Sequence, residues 1–150
     1  MKISEILTRH PVCIGITATL VQAAQQMKIL DVGTLPVCSD DGLVLGIVTD
    51  RDIVIRGVAK ELDLKTTRVG NIMSEDIISC FEDQDVAEAA RLMEVWQVRR
   101  LPVLDREKKL VGIISLGDFA KRTGEIALTA EVLGQVSTPA ALCEPAQLVA

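Results

Sequence analysis

Hydrophobic positions along the chain alternate between two periods. Residues 19–30 place Leu20, Ala23, Ala24, Met27 and Leu30 on one face of a helix, and residues 85–97 do the same with Val86, Ala89, Ala90, Met93 and Trp96. Around these helices lie short apolar runs of strand length: 12–14, a run opening at Leu35, and 43–48 in the first half; 77–80, a run opening at Leu101, and 110–114 in the second. Pro36 and Pro102 are the second residues of their runs, which suits a strand end where a missing N–H costs little. Ser39-Asp40-Asp41-Gly42 and Asp105-Arg106-Glu107-Lys108 read as turns, and Asp-Gly is a strong hairpin signal. A lead segment precedes each set (3–7 and 69–73), and a helix opening at Thr49 or Ser115 closes it. The predicted unit is β-α-β-β-α, twice.

The two sets are one pattern repeated. An offset of 66 residues aligns them without a gap: Ile6 on Ile72, Ala23 on Ala89, Met27 on Met93, Leu35-Pro36-Val37 on Leu101-Pro102-Val103, Gly46-Ile47 on Gly112-Ile113, Asp52 on Asp118 and Arg56 on Arg122. A unit of this size buries too little surface to be comfortable alone. The two are therefore expected to pack together as an α/β (α+β) fold around a pseudo-two-fold axis. The divisions are residues 1–66, 67–124 and a C-terminal extension at 125–150. Residues 58–68 form a polar join. Ile126 to Leu133 could add a helix ended by Gly134, and the stretch from Ser137 onward is expected to be loosely ordered.

Composition narrows the partners. Hydrophobic residues make up 49% of the chain, and the only aromatics are Phe81, Trp96 and Phe119, so the core must be aliphatic. The formal charge of −5 and the scarcity of aromatics argue against nucleic acid, which needs a basic face or stacking platforms. No apolar run reaches the roughly 18 residues of a membrane span. The N-terminus does not read as a signal peptide, and the expected compartment is the cytoplasm. Cysteines stand at 13, 38, 80 and 143 without a C-x-x-C motif, and His10 is the only histidine. No catalytic set or phosphate-binding glycine loop is evident, so no enzymatic activity is expected.

The chemistry concentrates at Gly-Ile-Val-Thr-Asp-Arg-Asp (46–52) and its echo Gly-Ile-Ile-Ser-Leu-Gly-Asp (112–118). An apolar strand here runs into a helix start bearing a hydroxyl and a carboxylate, a place to hold a small polar ligand. The same spacing, Thr49-x-x-Asp52 and Ser115-x-x-Asp118, is also that of a capping box.

These residues resemble a tandem pair of CBS domains, a Bateman module. The marks are the Leu-Pro-Val strand and the Gly-x-x-[Ser/Thr]-x-x-Asp turn, each present twice at one offset across residues 1–124. The stretches Thr-Asp-Arg-Asp-Ile-Val-Ile-Arg-Gly and Gln-Val-Arg-Arg-Leu-Pro-Val are similar to the small stand-alone stress-associated CBS proteins of bacteria, of the mycobacterial hypoxic-response type.

The resemblance implies a regulatory module that binds an adenosine-containing ligand (AMP, ATP, NAD or S-adenosylmethionine) between its repeats, changes shape, and acts on a protein target. It implies no required cofactor, and a dimer of the pair. Asp52 and Asp118 would accept from ribose hydroxyls, Thr49 and Ser115 would face phosphate or ribose, and Val12, Ile14, Pro36, Ile78 and Pro102 would hold the base. Arg99 and Arg100 would face phosphate, with Asp52 as the aspartate sharing their cleft; an ion pair with Asp31 is the alternative for them. Dimer contacts are expected among Ile53, Val54 and Val58 and the stripe Val86, Ala90, Met93.

Cys13 and Cys38 fall on neighbouring parallel strands, close enough for a disulfide if their vectors agree. They could equally be two aliphatic-like buried thiols. Zinc at His10, Cys13 and Cys38 is a weaker idea, lacking dense ligand spacing. The competing function is thus a redox- or metal-responsive structural dimer with empty clefts, switching through Cys13 and Cys38.

Overall fold

The computed structural model describes residues 1–122, 124 and 126–137. Each repeat contributes one principal helix and one sheet. In the first, α2 (Leu20–Leu30) is capped by Thr19, whose side chain accepts from the Gln22 N–H, and β2 (Ile14–Gly15), β3 (Thr34–Cys38) and β4 (Val44–Thr49) form a three-stranded sheet in that order. In the second, α4 (Val86–Trp96) accompanies β5 (Cys80–Phe81), β6 (Arg100–Leu104) and β7 (Leu110–Ser115). A further strand, β1 (Thr8–Arg9), joins this second sheet, giving the order β1-β7-β6-β5. Both predicted first strands, 12–14 and 77–80, are shorter and shifted toward the C-terminus, because only residues 14–15 and 80–81 reach a partner strand.

Strand alternation sorts the side chains. Leu35, Val37 and Val48 point into one core with Leu20, Ala23 and Met27; Leu101, Val103 and Ile114 point into a second with Ala89, Ala90 and Met93. The residues between them, Thr34, Pro36, Ile47 and their counterparts Arg100, Pro102 and Ile113, face the space between the repeats. Both prolines stand in mid-strand rather than at the predicted strand ends. The β3–β4 ladder asks no N–H of Pro36, since its partner Ile47 directs its own N–H and C=O at Ser74.

The lead segments are exchanged. The first, α1 (Ile3–Ile6) and β1, packs on the second repeat: Ile3, Ile6 and Leu7 lie in its core, and Thr8 pairs with Ile113. The second, a 3-10 turn (Val69–Asn71), packs on the first: Val69 and Ile72 lie in that core, and Ser74 bridges Ile47. The hydrogen bonds match at the 66-residue offset. Ile3 N–H donates to Gln84 C=O at 3.0 Å, as Val69 N–H does to Ala18 C=O at 2.7 Å; Ser4 donates to Glu82 at 2.9 Å, as Gly70 does to Ile16 at 3.1 Å. Such equivalence is what a two-fold relation between the repeats produces.

This exchange explains the glycine that opens each site motif. A Cβ on Gly46 would lie 2.7 Å from both the Ser74 carbonyl and the Met73 sulfur. One on Gly112 would lie 2.7 Å from the Thr8 carbonyl and collide with the Leu7 side chain. The crossing strand needs that space.

The helices closing the repeats differ. In the second, α5 (Leu116–Arg122) is α-helical throughout. In the first, α3 (Asp50–Asp52) passes at once into a π-helical stretch (Ile53–Val58), with Ala59 N–H donating to Val54 C=O at 2.8 Å. Finally α6 (Ile126–Val136) packs on α4 and α5 and buries Val132. It runs through Gly134 rather than ending there, since a glycine inside a packed helix costs only about 1 kcal/mol. The expectation of a loose tail falls, beyond Ser137, outside the described residues.

Candidate functional site

The faces left over by the two cores meet in a cleft. Its narrow part has a volume of about 290 Å³. The walls are apolar: Val32, Pro36, Ile47, Pro102 and Ile113. The polar groups are Thr8, Thr34, Arg100, Ser115 and Asp118. It opens into a wider groove of about 690 Å³, bordered by Gly33, Thr49, Asp50 and Arg51 from the first repeat and by Val98, Arg99, Leu116 and Gly117 from the second. Thr34, Ile47, Arg100 and Ser115 line both parts, so the two are continuous.

The two motif aspartates are placed differently. Asp52 completes a capping box: its carboxylate accepts from the Thr49 N–H at 2.9 Å, and the Thr49 hydroxyl accepts from the Asp52 N–H at 3.0 Å. The Arg56 guanidinium adds an ion pair at 3.7 Å. Asp118 accepts from the Ser115 N–H at 2.8 Å and also from the Ser115 hydroxyl at 2.6 Å. Asp118 lines the narrow cleft with Arg100; Asp52 lies outside the lining of both parts. Of the pairing expected from the family, Asp52 with Arg99 and Arg100, the structure shows this much: Thr49, the capping partner of Asp52, borders the wider groove with both arginines, while Arg100 also reaches the narrow cleft with Asp118. Arg100 alternates with Leu101 on β6, a strand paired to β7 just ahead of Ser115 and Asp118, and so is delivered to the Asp118 end. Arg99 borders the wider groove and donates to the Ser137 hydroxyl at 3.3 Å rather than meeting Asp31.

The residues expected to hold a base divide likewise. Pro36 and Pro102 line the narrow cleft. Ile14 and Ile78 pack instead against the two cores, and Val12 is exposed on the outer side beside Gln22 and Gln26. Ile14 is paired with Val37, a residue of the first core, and so shares its inward side of the sheet, while Val12 and Ile78 precede the paired strand residues. Thr8, Val32, Thr34, Ile47 and Ile113 were not singled out from sequence. Alternation around Pro36 and Pro102 marks Thr34 and Arg100 two residues before them, but no local signal brings Thr8 across to the other repeat.

Arg56 and Arg122 tie the site helices to the exchanged segments. Arg56 donates to the Ile72 carbonyl at 2.9 Å. Arg122 donates to those of Ile6 at 3.0 Å and Leu7 at 3.3 Å.

Cys13 is exposed and Cys38 buried, and both thiols are free. Burial, aided by a hydrogen bond with Cys13, pushes the Cys38 thiol up to about 12; burial alone does the same for Cys80. Cys143 lies outside the described residues. Among the described residues no three His, Cys, Asp or Glu side chains gather as a metal site. No helix among them is long and apolar enough to cross a membrane.

Comparison with known proteins decides the family. The CBS domain model matches residues 3–58 and 69–125. The chain belongs to the CBS domain family. As a CBS pair it is similar to Hypoxic response protein 1 of Mycobacterium tuberculosis, 38% identical over 144 residues that span 96% of this chain and 95% of that protein. Among solved structures, Hypoxic Response Protein I with two coordinated zinc ions superposes with a TM-score of 0.74 at 38% identity, covering 81% of this chain and 98% of that one. The CBS domain pair of protein MJ0100, solved with 5′-methylthioadenosine and S-adenosylmethionine, superposes with a TM-score of 0.71 at 24% identity over 83% of this chain and 96% of that one; at this identity the likeness is one of fold.

Proposed function

We propose that this CBS pair is a non-enzymatic sensor that binds one adenosine-containing ligand in the narrow cleft and passes the occupancy on as a change in the relation of its repeats. The observation that carries this reading is the lining of the cleft: an apolar slot lined by Pro36, Ile47, Pro102 and Ile113, with one carboxylate, Asp118, among its polar groups. A planar base fills such a slot, and a carboxylate, which only accepts, meets the two donors of a ribose diol. Ser115 holds that carboxylate in place. The MJ0100 pair, of the same fold, was solved with adenosine compounds.

The path for a signal is short. Thr8 of the narrow cleft belongs to the exchanged lead segment, and Arg122, one turn beyond Asp118, grips the carbonyls just before it. A ligand drawn to Asp118 and Thr8 pulls on the element joining the two repeats. The pair works as a homodimer, for which the exposed side chains of Val54, Ile55 and Val58 supply an apolar face. The other face expected to serve, Val86, Ala90 and Met93, is buried in the second core, as is Ile53 in the first.

Calorimetric titration with AMP tests the reading. Wild type is expected to bind, and Asp118→Ala to lose about ten- to a hundred-fold in affinity, the worth of a charge-assisted hydrogen bond. No binding at millimolar AMP, or equal binding by the variant, refutes it.

A further inference from the structure

We infer that the pair is hinged at its hairpin ends, and that the cleft is the gap this hinge closes. Closure by a ligand rests on the nucleoside reading of the cleft; the hinge itself does not.

The exchange of lead segments divides the chain into two bodies that differ from the two repeats. Residues 14–74 build one: the first sheet, α2 and the second lead segment share the core of Leu20, Val37 and Val69. Residues 1–9, with the chain from Ile78 onward, build the other around Ile3, Leu101 and Phe119. Among the described residues neither core takes a buried side chain from the other body. The covalent crossings are then two short links, residues 10–13 and 75–77.

A third connection lies on the axis itself. Leu43 and Lys109 form an isolated antiparallel bridge, and Leu110 N–H donates to Gly42 C=O at 3.2 Å. Leu43 and Lys109 are equivalent at the 66-residue offset, and a contact between equivalent residues sits on the two-fold axis. Among the described residues this is the backbone hydrogen bond that joins the bodies. The ladders of both sheets, and the bonds of both exchanged segments, stay inside one body.

The links converge on the same end. Thr8 pairs with Ile113 and Arg9 with Gly112, so the chain leaving Arg9 heads along β7 toward Leu110; Arg9, His10 and Pro11 border one hollow with Leu110 and Val111. Ser74 bridges Ile47 antiparallel to β4, so the chain leaving it heads toward Val44 in the same way. Thr34, Thr49, Arg100 and Ser115, which line the wider groove, stand at the other end of the same strands. Both links and the bridge are thus at the hairpin end, and the groove opens at the opposite one.

Between the two ends, apolar walls face each other across the cleft of about 290 Å³. No backbone hydrogen bond among the described residues has to break for these walls to part, and a ligand that fills the gap gains contact with both. A few link residues that absorb a change in backbone angle are the usual make of a hinge. From Leu43 to Thr49 the strand spans about 20 Å at roughly 3.3 Å per residue, so a rotation of about 10° carries the groove rim about 3 Å and the hairpin tips, two residues from the pivot, about 1 Å. α3 begins at that rim and its π-helical continuation carries the exposed Val54, Ile55 and Val58, so closure reaches the apolar face outside.

The test measures two spin-label distances in the full chain, in a Cys13→Ser, Cys143→Ser background, with labelled chain diluted in unlabelled. One pair, Ile29→Cys with Val95→Cys, sits at exposed equivalent positions on the last turns of α2 and α4, which lead to the rim. The other, Asp41→Cys with Glu107→Cys, sits at the exposed hairpin tips. In the empty chain the rim pair is expected to show the broader distribution. Saturating AMP should narrow it and shift it by about 3 Å, with the tip pair moving about 1 Å or less. Equal widths in the empty chain, a rim pair that bound AMP leaves unmoved, or tips that shift as far as the rim overturns the inference. If calorimetry finds no AMP bound, the nucleoside reading falls, and the widths in the empty chain still decide the hinge. If AMP binds through Asp118 while neither pair moves, the hinge falls and the nucleoside reading stands.

Discussion

The Ser115 hydroxyl donates to the Asp118 carboxylate at 2.6 Å, whereas at the equivalent place in the first repeat the Thr49 hydroxyl accepts from the Asp52 N–H at 3.0 Å. One hydroxyl orients a carboxylate at a cleft; the other closes a helix end. Thr49→Ala is expected to cost about 1 kcal/mol of stability, the usual worth of an N-cap. Ser115→Ala should cost less stability and weaken AMP binding. Urea melts beside titrations of both variants check this, and equal effects on the two readouts would defeat the distinction.

The motif glycines should be intolerant of a single methyl group. Gly112→Ala sets a Cβ against Leu7 and the Thr8 carbonyl, so a loss of about 1 to 3 kcal/mol or more is expected from overpacking. Gly15→Ala, which meets no atom within 4 Å, should be nearly neutral. Thermal melts of the two variants make the comparison.

Arg122→Ala removes donors to the Ile6 and Leu7 carbonyls and should cost about 1 kcal/mol, tempered by the exposure of the guanidinium. Because those carbonyls belong to the exchanged segment, hydrogen exchange of residues 3–9 should quicken more than that of α2. Uniform quickening along the chain would count against the latch.

Alkaline pH should destabilise the fold through its buried thiols. Cys38 and Cys80 are held at about 12 in the folded state, against an ordinary value of about 8.5. The folded state keeps its protons where the unfolded chain has released them. Their contribution to stability is therefore complete below about pH 8.5 and declines as pH rises toward 12. Urea midpoints between pH 7 and 10.5 should fall, and Cys38→Ala should flatten the slope. Iodoacetamide at pH 8 should modify exposed Cys13 well before Cys38 or Cys80.

The dimer face is tested by charge. Light scattering at micromolar concentration is expected to give twice the 16.2 kDa chain mass, and Val54→Asp combined with Val58→Asp to give the single mass. A monomeric wild type would remove the proposal.

Much of this arrangement was legible in the sequence because it is periodic. The offset of 66 carried both helices, the two Leu-Pro-Val strands and the paired hydroxyl and carboxylate, since each depends on local spacing. What depended on the distance between elements was not legible. Ile3, Ile6 and Leu7 read as an apolar lead, and nothing in them says which of two aliphatic cores they enter. Val12 and Ile78 read as strand residues facing a ligand, but the paired strands open only at Ile14 and Cys80, leaving Val12 exposed and Ile78 packed on the second core. Asp52 and Asp118 are indistinguishable by spacing; Arg100, placed by its own strand register, separates them. The π-helical stretch at Ile53–Val58 was equally hidden, because apolar residues at 53, 54, 55 and 58 satisfy an α-helix as well.

The exchanged lead segments bear on how such a chain could arise. A single repeat with the same exchange would place its first residues on a second copy and receive that copy's in return, a closed swap needing no surface that the lone repeat lacks. Joining two copies through residues 58–68 turns that encounter between molecules into one within a chain, at an effective concentration fixed by the join. Duplication would then begin from a finished interface. Once tethered, each half was free to change alone, and Gly33 where the second repeat has Arg99, or Arg51 where it has Gly117, are the kind of differences that two identical partners could never have acquired.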